Sequence, residues 1–200
     1  MISRFLFVGY TDDIHSVTCN DCEECYVALS YKDDMVFLYV ESNEQTVNPH
    51  LLAGGTLKSY PDGKKWERAV EIYHYSKPVS AEQWNRKIRE KTPFVTFNRL
   101  KPEMTASYIF YHYQLQEEYP GGSDRYGVIY LFLDMLIFYH EMPKEPETDV
   151  IEGSLNTEHS PREHWDTIME KHFDGSWEEI ENLEFTTHIG FEREEKAKND

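Results

Sequence analysis

Lys101-Pro-Glu-Met-Thr-Ala-Ser-Tyr-Ile-Phe-Tyr-His-Tyr-Gln-Leu-Gln-Glu-Glu-Tyr-Pro120 is the stretch of this 200-residue chain with the clearest local pattern. Pro102 suits the first turn of a helix, where its missing N–H costs nothing, and Glu103 complements the positive end of the helix dipole. Pro120 and the two glycines after it end a helix. The sequence therefore predicts a helix over residues 102–119.

The segments on either side of this helix extend the pattern. The apolar run after it predicts two strands, 126–133 and 135–141, and residues 94–100 before it also predict a strand. A further helix is expected from Ser160-Pro161 and a last strand over 183–191. The order strand, helix, strand, strand, helix, strand is that of the ferredoxin-like βαββαβ unit.

The first half of the chain partly repeats this order. Strands are expected over 2–10, 25–31, 35–41 and 66–76, but residues 11–24 show no convincing helix. A capping box at Ser80 and Gln83 predicts a helix that ends by Lys91-Thr92-Pro93.

Two hairpins one hundred residues apart can be superposed in sequence. Tyr26–Glu41 and Tyr126–Glu141 are both rich in aromatic residues, start their second strand with Asp-Met and end on Tyr-x-Glu. This similarity indicates an internal duplication, although two hairpins of similar composition can also arise independently. We expect an α+β fold, with antiparallel sheets and helices on one face. The expected parts are residues 1–78 as a degraded first unit, 79–191 as a ferredoxin-like second unit, and 192–200 as a charged tail.

The charge of the chain limits its partners. The formal net charge is −17 and the isoelectric point is about 4.9. Such a field repels phosphate backbones and anionic membranes, which argues against both as partners. The N-terminal apolar run is too short for a signal peptide, and no apolar run reaches the ~20 residues of a membrane helix. We expect a cytoplasmic protein, monomeric or homodimeric, with a small polar molecule as ligand.

The second half of the chain, about residues 93–191, resembles the L-rhamnose mutarotases of the dimeric α+β barrel superfamily. The resemblance rests on Pro102-Glu103, on Tyr108 and His112 four residues apart, on the strand segments within 126–141, and on the later helix with Trp165. It departs from the family at Tyr111, where the family tends to carry Arg, and at His164-Trp165, where a Trp pair is expected. The resemblance implies a barrel of paired sheets, formed here by a fused tandem or by two chains.

The resemblance and the residue chemistry point to one candidate site. In that family a histidine and a tyrosine line a sugar pocket between helix and sheet, which implies His112 as proton donor or acceptor and Tyr108 as hydrogen-bond donor. An imidazole that titrates near neutrality suits this task. Further ligand contacts are expected from Tyr111, Tyr139, Glu141 and Trp165, with His140, at the end of the same strand, as the alternative to Glu141 in the pocket. The alternative is that His112 only packs helix against sheet.

A cysteine cluster forms the second candidate site. His15, Cys19, Cys22 and Cys25 supply four ligands that suit tetrahedral zinc, although the ligand pairs of structural zinc sites usually come from separate segments. Nearby carboxylates disfavour thiolates by like-charge repulsion. Redox-active thiols and ordinary loop cysteines are the alternatives, and three cysteines do not form a disulfide framework.

Three functions remain open from the sequence. The first is binding, with isomerisation of the mutarotase type, of a small polar ligand. The second is a cofactor-free monooxygenase or a haem-binding member of the same superfamily. The third is a non-enzymatic acidic interaction or stress-associated protein, in which the aromatic residues only fill the core.

Overall fold

The computed structural model describes residues 2–20, 22, 25–88, 90–121, 124–147, 153–157 and 161–185, without the side chains of 161 and 183–185. The strands are β1 (Ser3–Tyr10), β2 (Thr18–Cys19), β3 (Cys25–Lys32), β4 (Met35–Ser42), β5 (Ala53–Gly54), β6 (Glu67–Arg68), β7 (Val70–His74), β8 (Thr92–Arg99), β9 (Val128–Phe132), β10 (Met135–Met142) and β11 (Glu178–Phe185). The helices are α1 (Pro49–Leu52), α2 (Ala81–Trp84), α3 (Thr105–Glu118) and α4 (Trp165–Met169). Single 3-10 turns lie at Ile14–Ser16, Pro102–Met104, Pro161–His164 and Glu170–His172.

Nine of these strands form one antiparallel sheet. Their order is β6-β1-β4-β3-β11-β8-β10-β9-β7. The first and last strands of this order, β6 and β7, are consecutive pieces of residues 67–74, so the sheet comes close to closing on itself. Near-closure leaves few unpaired strand edges. The predicted α+β class with antiparallel pairing is confirmed at this level.

The strand order repeats between the two halves of the chain. In the first half the order is β6-β1-β4-β3, and in the second half it is β11-β8-β10-β9. If the separate pair β2 and β5 is left out and β6 and β7 are counted as one strand, each half has four strands along the chain. In both halves these lie side by side in the order fourth, first, third, second. The fourth strand of each half also pairs with the other half. In the second half β11 pairs with β3 as well as with β8, and in the first half β7, which continues β6, pairs with β9. The two halves therefore share one sheet.

The inner face of the sheet forms the main core. Side chains alternate across a strand, so every second residue of each hairpin points inward. The inward residues are Leu6, Val8, Tyr26, Ala28, Met35, Phe37, Tyr39, Ala69, Val95, Phe97, Val128, Tyr130, Met135, Ile137, Tyr139 and Ile180. The Tyr39 and Tyr139 rings, which are equivalent in the repeat, stack at 3.6 Å between centroids.

The outer face is covered differently in the two halves. In the second half α3 and α4 pack on it, and Tyr108 and Met169 are among their buried residues. In the first half Leu52 of the short helix α1 and loop residues such as Leu57 and Trp66 take that place. Consistent with the sequence, the described residues between β1 and β3 contain a single 3-10 turn as their helical structure.

Two segments differ from the sequence-based expectation. The helix expected from Ser80 to about Lys91 is only the four residues of α2, although the Ser80 hydroxyl does accept a hydrogen bond from the Gln83 N–H as a cap. The chain then turns away, because Arg86 is held inside the protein by two glutamates. The last strand starts at Glu178 rather than 183, and residues 186–191 of that expectation lie outside the described part of the chain.

Candidate functional site

A cavity of about 670 Å³ lies between the outer face of the second-half sheet and helices α3 and α4. Its wall on the sheet side comes from β7, β8, β9 and β10, and the helical wall carries His112 and Trp165. The lining residues are Tyr73, Tyr75, Thr96, Tyr108, His112, Leu115, Ile129, Phe138, His140, Trp165, Asp166, Met169, Glu170, Phe173 and Trp177. Most of these side chains are aromatic or aliphatic, and a few polar groups lie among them. Small-molecule sites commonly have this composition and size.

His112 is held tightly in the helical wall. It is 4% exposed, and its ring lies 4.0 Å from Tyr108, 4.7 Å from Trp165 and 5.1 Å from Tyr73 between centroids. Its Nδ1 atom lies 2.9 Å from the Tyr108 carbonyl oxygen one turn earlier. A carbonyl oxygen only accepts, so the Nδ1 nitrogen carries the proton in this contact.

The other ring nitrogen of His112 is therefore the acceptor. In a neutral imidazole, a proton on Nδ1 leaves Nε2 as an acceptor. Among the described residues Nε2 has no hydrogen-bond partner, and it is not sealed from solvent. Burial lowers the pKa of His112 to about 4, so the ring is neutral at pH 7. The site thus presents one oriented proton acceptor to the cavity.

Tyrosines around His112 keep their protons. Burial raises the pKa of Tyr108 and Tyr73 far above neutrality, so both remain hydroxyl donors. The Tyr75 ring packs against Gly127, just before β9, where a Cβ would collide with it. At the cavity edge Asp166 and Glu170 are exposed and carry negative charge.

A second histidine supports Tyr108 from behind. His172 is buried, its Nδ1 donates to the Ile168 carbonyl at 2.9 Å, and its Nε2 lies 2.9 Å from the Ser107 hydroxyl. Its ring contacts Tyr108 at 5.8 Å and Tyr111 at 5.9 Å between centroids. Both of its nitrogens are occupied, so His172 fixes the helices rather than facing the cavity.

Some of the residues expected to act together do so in the structure. Tyr108, His112 and Trp165 all line the cavity. Tyr111 is half-buried and lies against His172, outside the lining.

Tyr139 and Glu141 do not belong to this cavity, contrary to the sequence-based expectation. They alternate along β10 with Phe138 and His140, so the two pairs point to opposite faces of the sheet. Phe138 and His140 line the cavity, whereas Tyr139 and Glu141 are buried inside the nearly closed sheet.

Inside the sheet, Glu141 belongs to a charged cluster that sequence reasoning missed. Arg86 donates from Nη1 to Glu41 at 2.8 Å and from Nε to Glu141 at 2.9 Å, with all three side chains at most 1% exposed. Its guanidinium lies 4.4 Å from each of the Tyr26 and Tyr126 rings. The repeated Tyr-x-Glu of the two hairpins signalled two equivalent glutamates, but not the arginine between them.

The cysteine cluster does not form the expected ligand set. Cys22 and Cys25 are joined as a disulfide, while Cys19 is half-buried and His15 is exposed. Within the part of the chain that the structure describes, no three His, Cys, Asp or Glu side chains come close enough to hold a metal ion. The zinc hypothesis therefore needs a different arrangement of these residues.

Comparisons with known proteins add little to this geometry. No family model matches the chain, and no curated protein matches it. A solved structure described as a "putative monooxygenase" from Fusobacterium nucleatum is similar over 94% of this chain and 95% of that chain, with 13% identity and a TM-score of 0.39. A similarity of this size supports no conclusion about activity. Among the described helices, none is long and apolar enough to span a membrane.

Proposed function

We propose that this protein binds a small hydroxylated ring compound in the cavity beneath α3 and that His112 accepts a proton or hydrogen bond from it. The observation that carries the proposal is the state of His112. Its Nδ1 is committed to the Tyr108 carbonyl, its pKa is about 4, and its Nε2 has no partner among the described residues. An oriented neutral imidazole accepts hydrogen bonds at pH 7, although a pKa of about 4 makes it a weaker general base than the near-neutral imidazole that the sequence led us to expect.

The walls restrict the shape of the ligand. Aromatic rings such as Tyr73, Phe138 and Trp165 offer flat apolar faces, which pack well against a flat or chair-shaped ring. A volume near 670 Å³ is within the range for ligands of one or two rings. The acidic edge formed by Asp166 and Glu170 disfavours anionic ligands.

The resemblance to the mutarotases suggests the reaction. In an anomeric interconversion His112 would take the proton of the anomeric hydroxyl as the ring C–O bond breaks, and the imidazolium so formed would give that proton to the ring oxygen, which leaves an open-chain aldehyde. When the ring closes on the other face, His112 would take the proton back from that hydroxyl and return it to the former carbonyl oxygen. The reaction needs no cofactor and asks only for a proton acceptor and a donor in reach.

Ligand binding provides the direct test. Ligand-observed NMR with a panel of monosaccharides and with phenol should detect binding to the wild-type protein. Replacement of His112 by Gln should weaken it about fivefold to tenfold, because one hydrogen bond is lost. His50→Gln is the matched control, since His50 is exposed on α1.

Polarimetry of the sugars that bind tests the catalytic part. The general-base role predicts that His112→Gln lowers the mutarotation rate about a hundredfold, whereas His50→Gln leaves it unchanged. If His112→Gln binds every compound as well as the wild type does, the proposal fails. A Soret band after haem addition would favour the haem-binding alternative instead.

The same geometry bears on assembly. We infer that the chain is a fused pair of ferredoxin-like units, split near residue 78, because both halves place their strands in the same order. One chain then supplies the paired sheets that other members of the superfamily build from two chains. This favours a monomer over a homodimer.

A further inference from the structure

The sheet side of the cavity carries a second histidine with an unusual neighbour. His140 on β10 is 7% exposed and lines the cavity. Its ring is held between Phe138, stacked at 5.0 Å, and Phe94, edge-on at 4.9 Å. These two contacts fix the plane of the imidazole.

Behind His140 lies the buried carboxylate of Asp124, which is 1% exposed. The Tyr126 backbone N–H lies near enough to this carboxylate to lower its pKa, but neither carboxylate oxygen has a hydrogen bond of normal geometry among the described residues. Its Oδ2 lies 3.5 Å from Nδ1 of His140, at the outer limit for a hydrogen bond, and this Nδ1 also lacks a partner. Buried polar groups rarely stay unpaired, so each is the natural partner of the other.

This pairing determines which nitrogen of His140 faces the cavity. Nδ1 is the nitrogen beside Asp124, and a carboxylate only accepts, so the pairing requires the proton on Nδ1. In a neutral ring Nε2 is then the acceptor. Nε2 of His140 is not sealed from solvent and has no hydrogen-bond partner among the described residues. His140 therefore repeats, from the sheet side, the arrangement that the Tyr108 carbonyl imposes on His112 from the helix side.

We propose that His140 is a second ligand-contacting residue, that Asp124 positions it, and that the ligand carries two hydroxyl groups. One hydroxyl would donate to Nε2 of His112 and the other to Nε2 of His140. This inference rests on the proposed function, since it concerns the same cavity. The inference goes beyond the proposed function because it requires the ligand to have two hydroxyl donors on different sides of its ring.

The charged groups near His140 agree with a neutral ring. Burial is the main cause that lowers its pKa to about 4, and the positive charges of Lys144 and Lys91 act in the same direction. Burial raises the pKa of Asp124 to about 6, although Lys144 opposes the change. At pH 7 the imidazole is thus neutral and the carboxylate mostly ionised, which is the state that the pairing requires.

Binding of simple phenols tests the two-hydroxyl requirement. Phenol has one donor, whereas catechol, resorcinol and hydroquinone place a second donor at three different spacings. We expect at least one of these three to bind the wild-type protein about fivefold tighter than phenol. In His140→Phe this advantage should disappear while phenol affinity is kept, and His140→Gln serves if the Phe variant does not fold.

The outcomes separate this inference from the proposed function. If no dihydroxybenzene exceeds phenol, or if its advantage survives the loss of His140, the inference is wrong while His112-dependent phenol binding still stands. If neither phenol nor any monosaccharide binds the wild-type protein, the proposed function fails and this inference fails with it.

The role of Asp124 needs a readout that simple loss of stability would not change. Imidazole ¹⁵N shifts report which nitrogen carries the proton, and we expect His140 to be protonated on Nδ1 in the wild type. In Asp124→Ala the proton should move to Nε2, while His112 remains protonated on Nδ1 because its carbonyl partner is unchanged. Asp124→Leu, which has a similar shape but no acceptor, is the second variant if the Ala variant does not fold. A wild-type His140 protonated on Nε2, or no change on removal of the carboxylate, would refute the positioning role.

Discussion

At the scale of single residues, His112 links chemistry to stability. The ring has the ordinary pKa of 6.5 in the unfolded chain, but its pKa is about 4 in the folded protein. Between these values the unfolded chain binds more protons than the folded one, so stability falls as pH falls from about 6.5 to 4. Above pH 6.5 this contribution is constant.

The pH dependence of His112→Gln measures this effect. A shift of this size corresponds to about 3 kcal/mol, so the stability advantage of the wild type over the variant should shrink by about that amount between pH 7 and pH 4. His140 acts in the same direction and Asp124, with its raised pKa, in the opposite one. Both are present in wild type and variant, so their effects cancel in the difference. Urea unfolding at several pH values is the measurement, and parallel curves would contradict the burial of a neutral His112.

At the scale of elements, the two faces of strand β10 contact different parts of the protein. Phe138 and His140 face the cavity, and Tyr139 and Glu141 face the interior. The Tyr139 hydroxyl donates to Glu141 at 2.9 Å and lies 3.0 Å from the Tyr26 hydroxyl. Neighbouring residues on one strand should therefore respond differently to substitution.

Phe138→Ala and Tyr139→Phe form a matched pair for this prediction. Phe138→Ala should weaken ligand binding, because it removes an aromatic wall of the cavity. Tyr139→Phe should leave binding unchanged and lower the free energy of unfolding by about 1 to 3 kcal/mol, because its partners stay buried without it. Titration of the ligands above and urea unfolding give the two quantities. A binding defect in Tyr139→Phe would mean that the two faces are coupled.

The comparison of α2 with α3 shows what local sequence can predict about an element. The start and stop signals located the α3 segment: the predicted range was 102–119, and the structure has a 3-10 turn at Pro102–Met104 followed by α3 at Thr105–Glu118. For α2 the cap at Ser80 was correct, but the predicted length was wrong. The helix does not continue past Trp84, because Arg86 pairs with two glutamates that are distant in the chain, and no local pattern encodes that pairing.

At the scale of the whole molecule, Arg86 joins the two halves. It lies in the segment that connects them, and it binds Glu41 from the first half and Glu141 from the second. These two glutamates occupy equivalent positions, one hundred residues apart. Two carboxylates this close and this deeply buried repel each other unless a cation lies between them.

Arg86→Met tests this connection. We expect a loss of about 3 to 5 kcal/mol in the free energy of unfolding, because the glutamates lose their buried partner. Arg99→Met is the matched control, since Arg99 and Asp134 form a half-exposed pair whose loss should cost under about 1 kcal/mol. Adding Glu41→Gln and Glu141→Gln to the Met variant should restore part of the loss. Equal effects of the two arginine substitutions would show that the cluster does not hold the halves together.

The sequence by itself determined the α+β class, the α3–β9–β10 unit, the repeated hairpin and the placing of His112 and Tyr108 on one face of α3, because caps, turns and side-chain periodicity act over short distances. Only the tertiary structure decided which groups share a space. It placed His140 with His112, moved Tyr139 and Glu141 to the interior, and brought Asp124 and Arg86 to their partners. The physical reason is that the curvature of the sheet and the path of the connecting segments set these contacts, and both arise from pairings between strands far apart in the chain.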